Sequence, residues 1–337
     1  MAISYDILAS TLRILRDREV DNTFKAIPLL TAVEKMGNVE QVDGGQKVDH
    51  PVILTEHSSI TQLATGYESV NLAVKDPLRT ASFEWCDFVA PVVLTKKEEL
   101  SNKGERAVIR IAEARLKSVM GMLQREWCKQ VVRGNSGILT ELNTFNGNDY
   151  GTGFFESAAF GAQTNTVGGI AKGSFTSSWQ NQVADVSPAA ETFATNGLKA
   201  MSNLMIQTQL YAPEGDVDII LASLTSFELF RNELTQLERY SSVEQMRDTV
   251  GRLGLLYNGA MMYVEPNLGF TAGGKAYSMY FLNSKLFTTY FDKDAYFEVG
   301  DMERISGYAA MASNILVRTQ LATSNLSGHG LLIDGEV

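Results

Sequence analysis

Apolar and polar positions alternate at period two from Ala81 to Thr95, where Phe83, Trp85, Val89 and Val93 are spaced evenly with Glu84 and Cys86 between them. β-Branched and aromatic residues at this period predict a strand on a partly buried surface. The period then changes. From about Asn102 to Arg133 there is no proline, and Val108, Ile111, Ala112, Val119, Leu123, Trp127 and Val131 recur at three- and four-residue steps. That predicts one long helix, with Ser101 or Asn102 as its cap, Glu105 near the positive end of its dipole and Gly134 as its stop. About thirty residues at roughly 1.5 Å each make a rod of about 45 Å. Such a rod suits a girder, and it suits the core helix of any mixed protein.

Around this pair the chain changes texture several times. Leu8, Leu12 and Leu15 form a short apolar stripe ahead of Arg16-Asp17-Arg18-Glu19, so residues 1–36 read as an arm that must pack on something. The same residues fit an ordinary docked N-terminal helix. Gly37, Gly44-Gly45, Pro51, Gly66 and Pro77 punctuate the next stretch, and Val48, His50, Val52 and Leu54 alternate with Asp49, Pro51 and Ile53. This reads as a protruding hairpin returning into the 81–95 strand, or as a small local sheet on the same domain. Residues 134–187 are rich in Gly, Asn, Ser and Thr and read as loops and short strands.

Ser187-Pro188 opens a helix carrying Phe193, Met201, Leu204 and Met205 and ending near Ala212-Pro213. Val217 to Leu221 is a buried strand by its apolar run. Thr225 and Glu228 have capping-box spacing ahead of Phe230, Leu234 and Leu237. Asn258-Gly259 between Leu255–Tyr257 and Ala260–Val264 predicts a type I′ hairpin. Gly273-Gly274 turns into a strand from Ala276 to Leu282. Residues 188–285 thus form an α/β unit. The tail, 286–337, holds aromatic strands around Phe287, Tyr290, Phe291, Tyr296 and Phe297, then an extended segment from Asn314 to Leu321. That segment is the expected partner of the 81–95 strand, which makes the α/β unit an insertion in a discontinuous girder domain.

Composition narrows the function. The 337 residues are 45% hydrophobic and 20% charged, as in a folded protein of about two domains. No run of eighteen apolar residues predicts a membrane span, and Met1 to Ser10 lacks the basic start of a secretory signal. Cys86 and Cys128 lie in apolar patterns and read as reduced core residues in a cytosolic setting. The net charge of −10 disfavours generic DNA binding, yet suits a container that must not stick to a polyanion.

Candidate chemistry is sparse. His50, His57 and His329 are the three histidines, and none has metal-ligand spacing to Cys, His or an acid. A hydrolase triad through one of them is the reading from another functional class, although no Gly-x-Ser-x-Gly elbow or Walker loop is present. Gly151-Thr152-Gly153 reads as a turn, Asp216-Val217-Asp218 as the flank of a strand, and Lys96-Lys97-Glu98-Glu99 as a solvated turn. The expectation is a structural protein with no catalytic residues, cofactor or metal.

Several patterns, in order, resemble the major capsid protein of tailed bacteriophages, the Hong Kong 97-type shell fold. They are Gly44-Gly45-Gln46-Lys47 before Pro51 to Thr55; Phe83-Glu84-Trp85 ahead of Val92-Val93-Leu94; Glu98 to Gly104 leading into the long helix; Gly134-Asn135-Ser136-Gly137-Ile138-Leu139; Thr166-Val167-Gly168-Gly169-Ile170 with Trp179-Gln180-Asn181; and Asn325 to Gly330. The resemblance implies an α+β fold with an N-terminal arm over 1–36 and an extended loop over 37–82. It implies a peripheral domain over 83–187 with a spine helix at 102–133, an axial domain over 188–285, and return strands of the peripheral domain over 286–337.

It also implies copies assembling as pentamers and hexamers into an icosahedral head around double-stranded DNA, without sequence-specific binding and without a membrane. Assembly would occur in the host bacterial cytoplasm and the product would be the virion capsid, with scaffolding, portal or decoration proteins as further partners. Scaffolding would come from another chain, because the arm begins almost at Met1. Some relatives crosslink subunits through Lys and Asn; no residue here matches closely enough to carry that over. A cellular encapsulin-type nanocompartment has the same fold and is the alternative.

Overall fold

The computed structural model describes residues 39–55, 76–101, 105–133, 154–176, 178–186, 193–212, 215–237, 255–269, 271–272 and 275–334, with isolated positions between 60 and 69. The arm over 1–36, most of the loop between 55 and 76, the 134–150 stretch, Ser187-Pro188 and His57 lie outside the described residues.

Two sheets organise the fold. The first has six strands built around Ala310–Thr323, a 14-residue strand. One side of it pairs antiparallel with Cys86–Thr95 through ten residue pairs, from Ala310 opposite Thr95 to Thr319 opposite Cys86. This is the long-range partnership expected of the tail. Its other side carries Phe287–Asp292, Glu298–Val299 and Glu303–Arg304 in succession. Val39–Val42 closes the sheet beside Phe287–Asp292 in parallel. The resemblance puts Val39–Val42 within the 37–82 loop; its pairing with Phe287–Asp292 leaves no local trace in the chain.

The single strand expected from Ala81 to Thr95 is two strands with a break at Trp85. Leu78–Glu84 pairs with Lys47–Ile53 in a two-stranded ribbon, and Cys86–Thr95 serves the six-stranded sheet. Trp85 is buried at the break. The period-two pattern continues through the break, so it could not reveal the change of partner.

The long helix runs Glu105–Arg133, 29 residues, and Leu123, Trp127, Cys128, Val131 and Val132 bury its C-terminal half. Before it, Lys96–Ser101 is a short helix and not a solvated turn. Glu98 reaches back over its start as the acid of a capping box does: the Thr95 N–H and hydroxyl donate to the Glu98 carboxylate at 3.1 and 2.8 Å.

The second sheet has seven strands, ordered Gln182–Asp185, Gly330–Asp334, Lys275–Leu282, Ile219–Ala222, Ala260–Val264 and Leu255–Tyr257, with Thr271–Ala272 folded onto Lys275–Leu282. The hairpin turns at Asn258 and Gly259, whose φ of 48° and 89° fit the type I′ turn read from the sequence. Gly330–Asp334, read with the peripheral tail, and Gln182–Asp185, read before the α/β unit, both lie in this sheet. Gly-Leu-Leu-Ile is a short apolar run, and such a run does not tell which sheet will bury it.

Both faces of this sheet are covered. Ile220, Ala222, Met262, Met279, Phe281 and Leu332 face the helices Leu198–Tyr211 and Leu224–Leu237. Ile219, Leu221, Tyr263, Tyr280, Leu282, Leu331 and Ile333 face a core shared with Trp127, Phe154, Phe155 and Trp179. Strict alternation along each strand divides the two cores. The Leu224–Leu237 helix is capped by Ser223, whose hydroxyl accepts the Ser226 N–H at 3.1 Å; the expected cap, Thr225, lies inside the first turn.

Candidate functional site

Among the described residues, three exposed surfaces and one buried polar cluster are candidate places of action. The first surface is the ribbon. Val48, His50, Val52, Leu54, Ala81 and Phe83 turn one of its faces inward, while Asp49, Pro51, Ile53, Leu78 and Thr80 face out. Ser82 N–H donates to the Gly168 carbonyl at 2.9 Å, and the Ser178 hydroxyl donates to the Leu54 carbonyl at 3.0 Å. Gly168 has φ of +58°, and a Cβ there would come within 3.0 Å of Ala81 Cβ and Phe83 Cζ. The ribbon over 47–54 and 78–84 is therefore laid on the body by one face; it does not protrude there. Its outer face carries the cross-strand pair Ile53 and Leu78, 71% and 55% exposed.

The second surface is the edge of Cys86–Thr95 turned away from Ala310–Thr323, which no described strand pairs. Arg115 reaches from the long helix to cap it, donating to the Val93 carbonyl at 2.7 Å and pairing with Glu98. Pro91 lies two residues before Val93, so its missing N–H falls on the same edge, where no ladder bond is lost. Arg115 and Thr95 together hold the Glu98 carboxyl down to about 2, against the opposing effect of burial. Val89 and Val93 are exposed on the face of this strand turned away from the core. The third surface is the outer stripe of Leu198–Tyr211, where Ile206 and Leu210 stand one turn apart.

The histidines are not brought together with acids in a triad among the described contacts. His50 is half-buried between the rings of Phe83 and Tyr290, at 6.1 and 5.5 Å, and among the described residues its Nε2 has no hydrogen-bond partner. Burial lowers its pKa, with Glu40 and Asp49 opposing. His329 is fully buried, stacked on Phe154 and edge-on to Phe287. Its Nδ1 accepts the Asn283 N–H at 3.3 Å and its Nε2 lies 3.4 Å from the Thr323 hydroxyl. Burial drives it down to about 3, so the ring is neutral, and it meets no solvent in this structure. Cys128 is buried, Cys86 is half-buried, and neither is in a disulfide. Among the described residues, no group of three His, Cys, Asp or Glu is placed to hold a metal, and no helix is long and apolar enough to cross a membrane.

The buried polar cluster is one that the sequence pattern does not reveal. It fills the segment expected to be loops. The Lys172 Nζ donates to the Phe154 carbonyl at 2.8 Å and to Asn181 Oδ1 at 3.0 Å, and lies 4.0 Å from Glu156 Oε2. The Glu156 carboxylate accepts the Thr164 and Asn165 N–H groups at 3.0 and 3.1 Å. Gln163 Nε2 donates to the Asn181 carbonyl at 2.7 Å, and Gln180 Nε2 donates to the Lys172 carbonyl at 3.1 Å. All five side chains are at most 1% exposed. Burial pulls Lys172 down to about 7, with the Glu156 charge opposing. Trp179-Gln180-Asn181 stands out in the sequence, but Glu156 and Lys172 look like any surface residues there. Only their position inside a Gly- and Asn-rich segment with Phe154, Phe155 and Trp179 hints at a packed interior.

No protein-family model and no curated protein matches the sequence. Solved structures match over nearly its whole length. A cyanophage A-1(L) capsid asymmetric unit aligns with a TM-score of 0.61 at 14% identity, covering 95% of this chain and 95% of that one. The holo-SrpI encapsulin complex from Synechococcus elongatus PCC 7942 aligns with a TM-score of 0.59 at 11% identity, covering 98% and 95%. The capsid of an empty GTA particle gives 0.55 at 14% identity, covering 95% and 95%. Most of the similar structures are phage capsids. The chain has the Hong Kong 97-type shell fold, in its mixed α+β form.

Proposed function

We propose that this chain is the repeating subunit of a closed protein shell: the major capsid subunit of a tailed bacteriophage, enclosing double-stranded DNA. The observation that carries the reading is the alignment with capsid structures over 95% of this chain and 95% of theirs. The role is mechanical and non-enzymatic. Permanent assemblies bury roughly 2,000–5,000 Å² per contact, and net free energy per contact is far below the area product because ordering offsets it. The bare face of the ribbon, with Ile53 and Leu78 paired across it, supplies apolar area that the subunit itself does not cover. A net charge of −10 limits adhesion of the shell to packaged DNA.

In this reading residues 37–82 form the loop that meets a neighbour, the long helix is the spine of a peripheral domain, and the 188–285 unit clusters about the five- and six-fold centres. The virion would be its location, with assembly in the host cytoplasm.

The test is the pair Ile53→Asp and Leu78→Asp in one chain. Both side chains stand outside the core, so the subunit should keep its far-UV circular dichroism and lose only a little of its unfolding midpoint, from two like charges opposed across the ribbon. Negative-stain images should show closed shells for the wild type and none for the variant. Normal shells from the variant would remove the ribbon face from the reading; a wild type that stays monomeric at every concentration would end the reading itself.

An encapsulin-type compartment is the second reading, favoured by the encapsulin among the similar structures. Neighbouring terminase and portal genes support the phage head, and a neighbouring cargo-enzyme gene without them supports the compartment.

A further inference from the structure

The cluster around Lys172 is arranged for a reaction as well as for packing. An amine attacks a carboxamide when it is neutral, in contact with the group, and kept from water. Lys172 Nζ touches the Asn181 carboxamide at 3.0 Å, and both side chains have no exposed surface. Burial leaves a large neutral fraction of the amine near pH 7. The Glu156 N–H donates to Asn181 Oδ1 at 3.0 Å, where negative charge would develop as the carbonyl is attacked. The Glu156 carboxylate lies 4.0 Å from Nζ and can carry a proton. Asn181 Nδ2 donates to the carbonyls of Glu156 and Gln182 at 3.2 and 3.3 Å, which fixes the plane of the amide.

We propose that Lys172 and Asn181 of one chain join in a buried intramolecular isopeptide bond, with Glu156 as the proton carrier.

The step balances without any co-reactant. The Nζ lone pair forms a bond to Asn181 Cγ, and the carbonyl π pair moves onto Oδ1 beneath the Glu156 N–H. Glu156 takes a proton from Nζ and delivers it to Nδ2. The Cγ–Nδ2 bond breaks and ammonia leaves. The product keeps an acceptor oxygen for the Glu156 N–H and loses a charge that had no access to water. The bond closes a loop in the segment that touches the ribbon through Gly168 and Ser178. It lies within one subunit, so it does not depend on the chain forming shells.

Mass spectrometry of the full-length protein tests this directly. The intact mass should fall one ammonia, about 17 Da, below that of the sequence. Trypsin should fail to cleave after Lys172, and further digestion with chymotrypsin should release a branched peptide joining Lys172 to Asn181. Hydroxylamine should leave the branch intact, which separates it from an Asn181 succinimide of the same mass. Asn181→Ala should restore the full mass less the side-chain difference, and Glu156→Gln should slow the conversion. An intact mass equal to that of the sequence, or trypsin cleaving after Lys172 in the bulk of the protein, overturns the proposal. The wild-type protein alone is enough to decide it, so a variant that fails to fold does not obscure the outcome.

Discussion

The seven-stranded sheet and the Lys47–Ile53/Leu78–Glu84 ribbon are both made of alternating apolar strands, yet they finish differently. In the sheet, Ile219 to Ala222 are fully buried because one face meets two helices and the other meets Phe155 and Trp179. In the ribbon one face is buried by Val52, Leu54 and Phe83, and the other leaves Ile53 and Leu78 bare. A two-stranded ribbon is marginal alone, so this one borrows its stability from the body it lies on. The lesson is that the same alternation encodes completion in one place and an unfilled surface in the other. Only the supply of covering elements differs.

The comparison breaks most sharply at its two centres. Phe281→Ala empties a fully buried site in the sheet and should cost about 3–5 kcal/mol, read as a lower denaturation midpoint. Ile53→Asp with Leu78→Asp opposes two like charges across the ribbon and should cost about 1–2 kcal/mol in the same measurement, well below the core truncation, while abolishing shells in micrographs. If the ribbon pair destabilised the subunit as much as the core truncation, the outer face would be part of the subunit's own interior, and the contrast would fail.

Acid sharpens it next. The folded pKa of His329, about 3, is below its ordinary 6.5, so the unfolded chain binds the proton first as pH falls. Its contribution is fully present above pH 6.5 and is lost progressively from there down to about 3, at up to about 1.4 kcal/mol per pH unit. The groups facing its ring are Phe154, Phe287, Thr323 and the Asn283 amide, none of them charged. His329→Gln should flatten the dependence of the unfolding midpoint on pH between 6 and 4. An unchanged slope would mean that other groups govern acid unfolding. Glu98, held to about 2, acts in the same direction at lower pH in both proteins.

Much of the fold was legible where signals are local. Asn258-Gly259 specified its hairpin, the long helix declared itself by period, and the 314–321 segment suggested its partner across more than two hundred residues. The break at Trp85 was not legible, because the alternation continues while the partner strand changes. Nor was the destination of Gly330–Asp334, since a short apolar run fits either sheet. The Lys172 cluster was least legible: Glu156 and Lys172 are joined by folding, and nothing in their spacing marks them as buried. The ribbon showed its alternation but not that its inner face is docked.

The smallest effect is at the boundary between finished and unfinished parts. Arg115 closes the edge of Cys86–Thr95 that no described strand pairs, through the Val93 carbonyl, and holds Glu98 against the helix start. Its side chain is 37% exposed, so solvent screens the pair, and Arg115→Ala should cost only about 1 kcal/mol in chemical denaturation. Arg115→Lys should recover little of it, because a single ammonium cannot reach the carbonyl and the carboxylate with separate fixed donors. The Glu98 pKa, followed by carboxyl NMR, should rise from about 2 toward its ordinary value in both variants, more in the alanine one. A loss near 3 kcal/mol or more would show that this edge supports the core as the sheet strands do, and the bare surfaces of the subunit would then begin only at the ribbon.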